Sequence, residues 1–354
     1  MAYLLGTDEA GYGPNLGPLV VAASVWEVPD PWLLELPEHD LAQLDLREKL
    51  RPLIVGPDQS PTADQLQLGD SKQLYSPRSG IRLLERGVLT ALGAVLNSNS
   101  TARIENKNTV AIRTEEAETS QRMPESWREI WKALGAASDQ SIDEQPWFRG
   151  YDPPLPRKAA RDEIVGSVPS IAARLKAKEV RIERLRAVAV FPDEFNRMVE
   201  QQGNKATVLS LTTLMLVQEI LAGLHGQRIY VSCDKHGGRN QYHACLQSLF
   251  PDHWVEVVRE SRARSTYRFG KPPECVEIHF AAKGESFLPA ALASMTAKYL
   301  RELAMEAFNQ FWCERVANLK PTAGYPLDAV RFRAEIQATQ DRLGIAKQML
   351  WRNR

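Results

Sequence analysis

The sequence predicts an α/β fold, and three segments carry that prediction. Residues 19–26, Leu-Val-Val-Ala-Ala-Ser-Val-Trp, are a continuous apolar, β-branched run of the kind found in a buried strand. Arg228-Ile-Tyr-Val-Ser-Cys-Asp234 alternates apolar and polar residues and then meets Gly237-Gly238, so Asp234 ends a strand just before a turn. Leu288, Leu292, Met295, Tyr299 and Leu303 form one apolar stripe at helical spacing. Strand-like and helix-like stretches alternate along the chain without an internal repeat, which is the α/β pattern.

Taken in order, residues 4–26 read as two strands around a glycine-rich turn. Residues 27–67 are rich in Pro, Asp and Leu without a sustained period, an irregular excursion. The polar signal Gly69-Asp-Ser-Lys-Gln73 precedes a helix through Leu84 and Leu96. Residues 97–182 differ in texture, with Asn97-Ser-Asn-Ser-Thr101, Trp127, Trp131, Trp147 and Gly150-Tyr-Asp-Pro-Pro-Leu-Pro-Arg157. They read as an inserted subdomain or large embellishment with linker-like edges, whose tryptophans fill its own small core rather than stack on bases. Regular structure resumes with a strand over 185–191, closed by Pro192. A helix over 206–224 follows and stops at Gly226. A strand over 276–282 leads into the long striped helix. The expected organisation is one domain, 1–354, interrupted by insertions at about 27–67 and 97–182.

Composition narrows the classes. Of 354 residues, 44% are apolar and 25% charged, ordinary globular usage that excludes a disordered, collagenous or disulfide-dense chain. The mean hydropathy of −0.34 and the lack of a long apolar run exclude a membrane-spanning helix. Two carboxylates stand within the first nine residues, so no secretory leader is expected. Cys233, Cys245, Cys275 and Cys313 form no CxxC pair, which fits a reduced, cytoplasmic compartment. Basic and acidic residues balance at 44 each, so any attraction for nucleic acid must be local. Residues 157–186, and Arg259, Arg262, Arg264, Arg268 and Lys271, are either solvated faces or such a groove. No G-x-x-x-x-G-K-[ST] loop points to ATP.

The carboxylates carry the chemistry. Asp8 and Glu9 end the first strand and are followed by Gly11, Gly13 and Gly17. Adjacent strand residues face opposite sides, so the pair forms one site only at a strand end or bulge. Glycine beside an acid lets backbone N–H groups approach a phosphate closely. Asp234 is a second strand-end acid, and Glu285 stands at a strand–helix junction. Each alone reads as a capped element end. Four carboxylates at element ends of one core are what hard divalent cations require. His225, His236 and His243 read as surface or turn residues, although His236, two residues past Asp234, could reach a phosphate.

These segments resemble a known family. Gly6-Thr-Asp-Glu-Ala-Gly-Tyr-Gly-Pro14 with Leu16-Gly-Pro-Leu-Val-Val-Ala-Ala23 resembles the N-terminal signature of the type 2 ribonucleases H, ribonucleases HII and HIII. Asp70-Ser-Lys-Gln-Leu74, Cys233-Asp-Lys-His-Gly237, Lys283-Gly-Glu-Ser286 with residues 291–298, and Gly324-Tyr-Pro326 resemble further family elements, in the same order. The resemblance covers roughly residues 1–26, 68–96 and 184–335. It implies an RNase H-like mixed sheet flanked by helices, with a helical C-terminal part. It implies that Asp8, Glu9, Asp234 and Glu285 hold two Mg²⁺ or Mn²⁺ ions. It further implies that Lys72 approaches a backbone phosphate, that Gly11, Tyr12 and Gly13 face a ribose 2′-hydroxyl, and that Tyr325 packs on a sugar.

Three departures stand out. Tyr12 replaces the arginine usual in type HII, Glu285 follows the habit of type HIII, and the inserts lengthen the chain. The implied activity is endonucleolytic hydrolysis of the RNA strand of RNA–DNA hybrids, or of duplex DNA containing ribonucleotides, by a monomer. The alternative is a noncatalytic or repurposed member that binds hybrid or branched nucleic acid.

Overall fold

Backbone pairing in the computed structural model is described for residues 1–34, 44–75, 80–105, 122–224, 227–272, 274–282 and 287–353. The chain runs β1 (Ala2–Ala10), β2 (Leu19–Val28), α1 (Pro31–Leu34), α2 (Leu46–Lys49), β3 (Ile54–Val55), β4 (Leu66–Gln67), α3 (Ser71–Leu74) and α4 (Arg82–Glu105). It continues through α5 (Trp127–Ala133), α6 (Asp139–Asp143), α7 (Arg161–Ala177), β5 (Arg181–Val190), α8 (Pro192–Gln202), α9 (Lys205–Leu221), β6 (Arg228–Asp234) and α10 (His243–Leu249). It closes with β7 (Glu256–Arg259), β8 (Arg264–Lys271), β9 (Glu274–Ala281), α11 (Leu288–Cys313), α12 (Pro326–Arg342) and α13 (Lys347–Leu350).

Seven strands form one sheet in the order β5-β2-β1-β6-β9-β8-β7. β2 lies antiparallel to both β1 and β5, whereas β6 runs parallel to β1 and to β9. The sheet is therefore mixed. Helices cover both faces, which is why β2 is a continuous apolar run rather than an alternating one. Leu4, Val20, Ala22 and Trp26 point into the core beneath α11 and α4. Leu5, Val21, Ala23 and Val25 point the other way, toward α9. Gly6 is required where α11 begins: a Cβ there would lie 2.0 Å from the Ala290 nitrogen. With α12 and α13 after the sheet, the mixed sheet flanked by helices and the helical C-terminal part stand as the sequence implies.

Two expectations need correction. Within 27–67, residues 54–55 and 66–67 form a small parallel strand pair, β3 with β4, so that stretch is not wholly irregular. The tryptophans of 97–182 do not fill a separate core. The Trp127 indole donates to the Leu303 carbonyl of α11 at 3.2 Å. Trp147 meets Phe308 of the same helix edge-on at 5.1 Å, and Trp131 stacks on Phe191. Leu134 and Ala136 accept hydrogen bonds from Ala187 and Ala189 on the outer edge of β5. The buried Glu85 carboxylate of α4 accepts N–H bonds from Arg157, Lys158 and Ala159 and the Tyr299 hydroxyl. Removing this region would strip apolar surface from the main core and orphan a buried carboxylate.

Several arginines of the first basic stretch are ion-paired: Arg157 with Glu306, Arg161 with Glu125, Arg174 with Asp64 and Arg181 with Glu27. In the second stretch Arg268 pairs with Glu277 and Arg264 contacts His279. Among the described residues, no helix is long and apolar enough to cross a membrane.

Candidate active site

The acids meet at a place where the sheet opens. β1 pairs with β6 only as far as Gly6 opposite Ser232, and beyond that the two parallel strands separate. Two residues further on each strand stand Asp8 and Asp234, at the same level of neighbouring strands and at their C-terminal ends. That is where an open α/β sheet offers its crevice. The Glu9 amide donates to the Asp8 carboxylate at 2.8 Å, a local bond that turns Asp8 back along the strand end.

Asp8 and Asp234 both lie within electrostatic range of Glu9. Burial pushes the Glu9 carboxyl up to about 8, with the negative fields of Asp8 and then Asp234 adding to the shift. The Lys72 ammonium acts in the opposite direction on the same carboxyl. Lys72 lies in the first turn of α3, where its amide donates to the capping carboxylate of Asp70 at 2.9 Å. α3 is held against α11 by a hydrogen bond from the Ser294 hydroxyl to that of Ser71 at 3.0 Å. Glu285 lies outside the described residues.

The glycine loop, residues 11–18, is fixed from below. Gly11 has φ +92°, and a Cβ there would stand 2.5 Å from the Pro18 oxygen, so only glycine closes this turn. The buried Arg301 guanidinium donates to the carbonyls of Pro18, Leu16 and Ala323. The buried Arg352 donates to the carbonyls of Gly11 and Pro14. Gly324 accepts the Asn15 amide at 2.7 Å, and its φ of +81° places it where a Cβ would lie 2.7 Å from the Leu16 oxygen. Tyr325 follows, 56% exposed, as the capping residue of α12, with its ring edge beside Gly13. Tyr12 lies within the field of Glu9, which together with burial holds its hydroxyl above the ordinary range. Asp8, Glu9, Asp234, Lys72, Tyr12, Gly13 and Tyr325 thus border one region.

His236 is a core residue rather than a phosphate ligand. It is 1% exposed, its Nδ1 stands 3.1 Å from the Ser210 hydroxyl, and burial pushes it down to about 3. Its amide donates to the Tyr242 hydroxyl. His243 contacts the Val255 carbonyl, and His225 lies outside the described residues. Cys233, beside Asp234, is held up to about 12 by burial and is no nucleophile.

Sequence reasoning missed Arg301, Arg352 and Lys205. Arg301 has a visible signal, a cation inside the apolar helix that carries the Leu288 to Leu303 stripe. Arg352, near the chain end, and Lys205 have none.

The donor set fits a hard divalent cation in kind: oxygen ligands whose mutual repulsion is relieved by positive charge. Among the described residues, however, no three acidic, histidine or cysteine side chains are gathered closely enough to hold one.

No protein-family model matches this chain, and no curated protein matches it in sequence. Among solved structures it is similar to the ribonuclease H2 from Pyrococcus horikoshii OT3, at 14% identity and a TM-score of 0.36, over 98% of this chain and 92% of that one. It is similar at the same identity and score to the RNase HII from Archaeoglobus fulgidus solved as a complex with PCNA, over 99% and 94% of the two chains. Bst-RNase HIII in complex with Mn²⁺ matches at 13% identity and 0.36, over 99% of this chain and 66% of that one. Superposition this loose assigns neither site nor activity.

Proposed function

We propose that this chain is a metal-dependent endoribonuclease that hydrolyses the RNA strand of RNA–DNA hybrids, or the RNA–DNA junction in duplex DNA. What supports the reading is that the fields of Asp8 and Asp234 both reach Glu9 where the pairing of β1 with β6 ends, beside the glycine loop and Tyr325. Asp8, Glu9 and Asp234, with Glu285, would hold Mg²⁺ or Mn²⁺. Bound there, such ions supply an activated water and charge neutralisation for in-line displacement at phosphorus.

The chain's own groups do the rest. Lys72 offers positive charge to a phosphate on the side of Glu9. Main-chain groups of Gly11, Tyr12 and Gly13 meet a 2′-hydroxyl, and the clamp beneath the loop keeps them from moving as substrate docks. The exposed Tyr325 ring packs on a neighbouring deoxyribose and rejects a 2′-hydroxyl there by sterics. From this follows incision 5′ to a single embedded ribonucleotide, weaker than on a longer tract.

A second reading has one observation in its favour. With no closed three-ligand group among the described residues, the chain could bind hybrid or branched nucleic acid without cutting it. Cleavage of matched duplexes carrying one, four or many ribonucleotides, with Mg²⁺ and Mn²⁺ in turn, decides between them. Asp8→Asn or Asp234→Asn should reduce turnover at least about a hundredfold while hybrid binding persists. Near-wild-type turnover by either variant sinks the site, and binding without cleavage by the wild-type chain supports the second reading.

A further inference from the structure

The glycine loop has a second face, turned toward α9 and the chain terminus. There Tyr12, Gly13, Phe195, Lys205, Arg352 and Asn353 line a narrow pocket of about 10 Å³, room for one water or one phosphate oxygen. Lys205 opens α9, a helix of 17 residues capped by the Asn204 side chain on the Thr207 amide. A helix N-terminus presents N–H groups and positive potential to an anion. The Lys205 ammonium stands 4.7 Å from the Tyr12 ring centre and pairs with no carboxylate among the described residues.

Arg352 is the independent observation. It is 2% exposed, yet its Nε and Nη1 have no hydrogen-bond partner among the described residues; only Nη2 is used, on Gly11 and Pro14. No described carboxylate pairs with it, and the charge that acts on it is the like charge of Arg301. Burial and that repulsion hold its guanidinium down to about 9, so the folded chain carries the cation at a cost. A buried guanidinium with two idle donors is stabilised by an anion. Glu9, whose field reaches Tyr12, is not among the charges that shift Arg352.

We infer that Arg352, Lys205 and the start of α9 form a phosphate subsite behind the glycine loop. One non-bridging oxygen enters the pocket against the guanidinium, and the remaining oxygens face Lys205 and the helix terminus. The phosphate group belongs either to the backbone of a bound strand, in which case the assignment rests on the nucleic-acid reading above, or to a free anion.

Full-length wild-type chain and Lys205→Ala are titrated with a fluorescent RNA–DNA hybrid in EDTA across a salt series, and both are melted with inorganic phosphate. For a strand phosphate, Lys205→Ala lowers the slope of log affinity against log salt by about one and weakens all sequences alike. A scan of single methylphosphonate linkages then finds one position that weakens the wild type several-fold and leaves Lys205→Ala unaffected. For a free anion, phosphate raises the Tm of the wild type more than that of Lys205→Ala while the salt slope stays unchanged. Equal slopes and equal phosphate shifts in the two proteins overturn the subsite, leaving the proposed function untouched. A wild-type chain that binds no hybrid removes the strand arm and the proposed function together, and the phosphate melts still decide the subsite. Arg352→Lys, which keeps charge but not the fork, should show the same loss in the arm that proves positive.

Discussion

The glycine loop at 11–18 and the aromatic segment at 122–160 are anchored to the same helix, α11, by opposite means. The loop is held through its backbone: Arg301 and Arg352 take its carbonyls, and Gly324 takes its amides. Leu16 and Asn15 are buried beneath it, and Tyr12 and Gly13 are the part of the loop left at the surface. The aromatic segment meets α11 chiefly through its side chains, with Trp127, Trp131, Trp147 and Phe148 nearly or wholly buried, while its backbone bonds go to β5 and Glu85. A surface that must present polar groups in fixed positions cannot spend its side chains on packing, so buried guanidiniums grip the main chain instead. A segment that only closes a core has no such restriction, and burial of large aromatics is its strongest source of stability.

The contrast predicts a graded series of effects. Trp127→Ala should be the largest, costing about 3–5 kcal/mol through a cavity and a lost indole donor. Urea unfolding measures it, and a loss under about 1 kcal/mol would show the segment to be an independent appendage after all. Gly324→Ala should cost about 1–3 kcal/mol from positive φ and the close Leu16 oxygen. Because it displaces the loop, turnover should fall more than stability does.

Glu9 produces a smaller effect that depends on pH. Its carboxyl is raised in the folded chain from an ordinary 4.5 to about 8, so folding favours the protonated form. That contribution is fully present below about pH 4.5 and is lost as pH rises through about 8. Without divalent cations, Glu9→Gln should therefore gain on the wild type in Tm between pH 5 and 8, and be no more stable than it at pH 4. Mg²⁺ at pH 8 should narrow that gap, and a gap that does not vary with pH would contradict the clustering of Asp8, Glu9 and Asp234. Tyr325→Ala is the smallest: an exposed ring should change stability by no more than about 0.5 kcal/mol. Its effect belongs to substrate choice, as loss of single-ribonucleotide incision with tract cleavage retained. Equal loss on both substrates would remove the tyrosine from junction recognition.

The legible parts were those written in short windows. Alternation and apolar runs marked β1, β2, β6 and β9, and the stripe marked α11. Each of these is a backbone preference or a face periodicity, which neighbours within a few residues encode. The tryptophans were conspicuous but misread, because a buried ring looks the same whether its partners lie in its own segment or, like Leu303, far along the chain. His236 was misread for a similar reason: proximity in sequence to Asp234 says nothing of the Ser210 and Tyr242 groups that enclose it.

What local pattern could not supply is the company each charge keeps. Asp8 and Glu9 announce themselves as neighbours, but the field of Asp234 on Glu9 exists only because β1 and β6 run parallel in register. The hydrogen bond from Arg352 to Gly11 spans 341 positions of sequence, and no composition or spacing links the two. Electrostatic and hydrogen-bond energies depend on distances of a few ångströms and on desolvation, quantities that exist only once the sheet has closed and the chain terminus has docked against the loop.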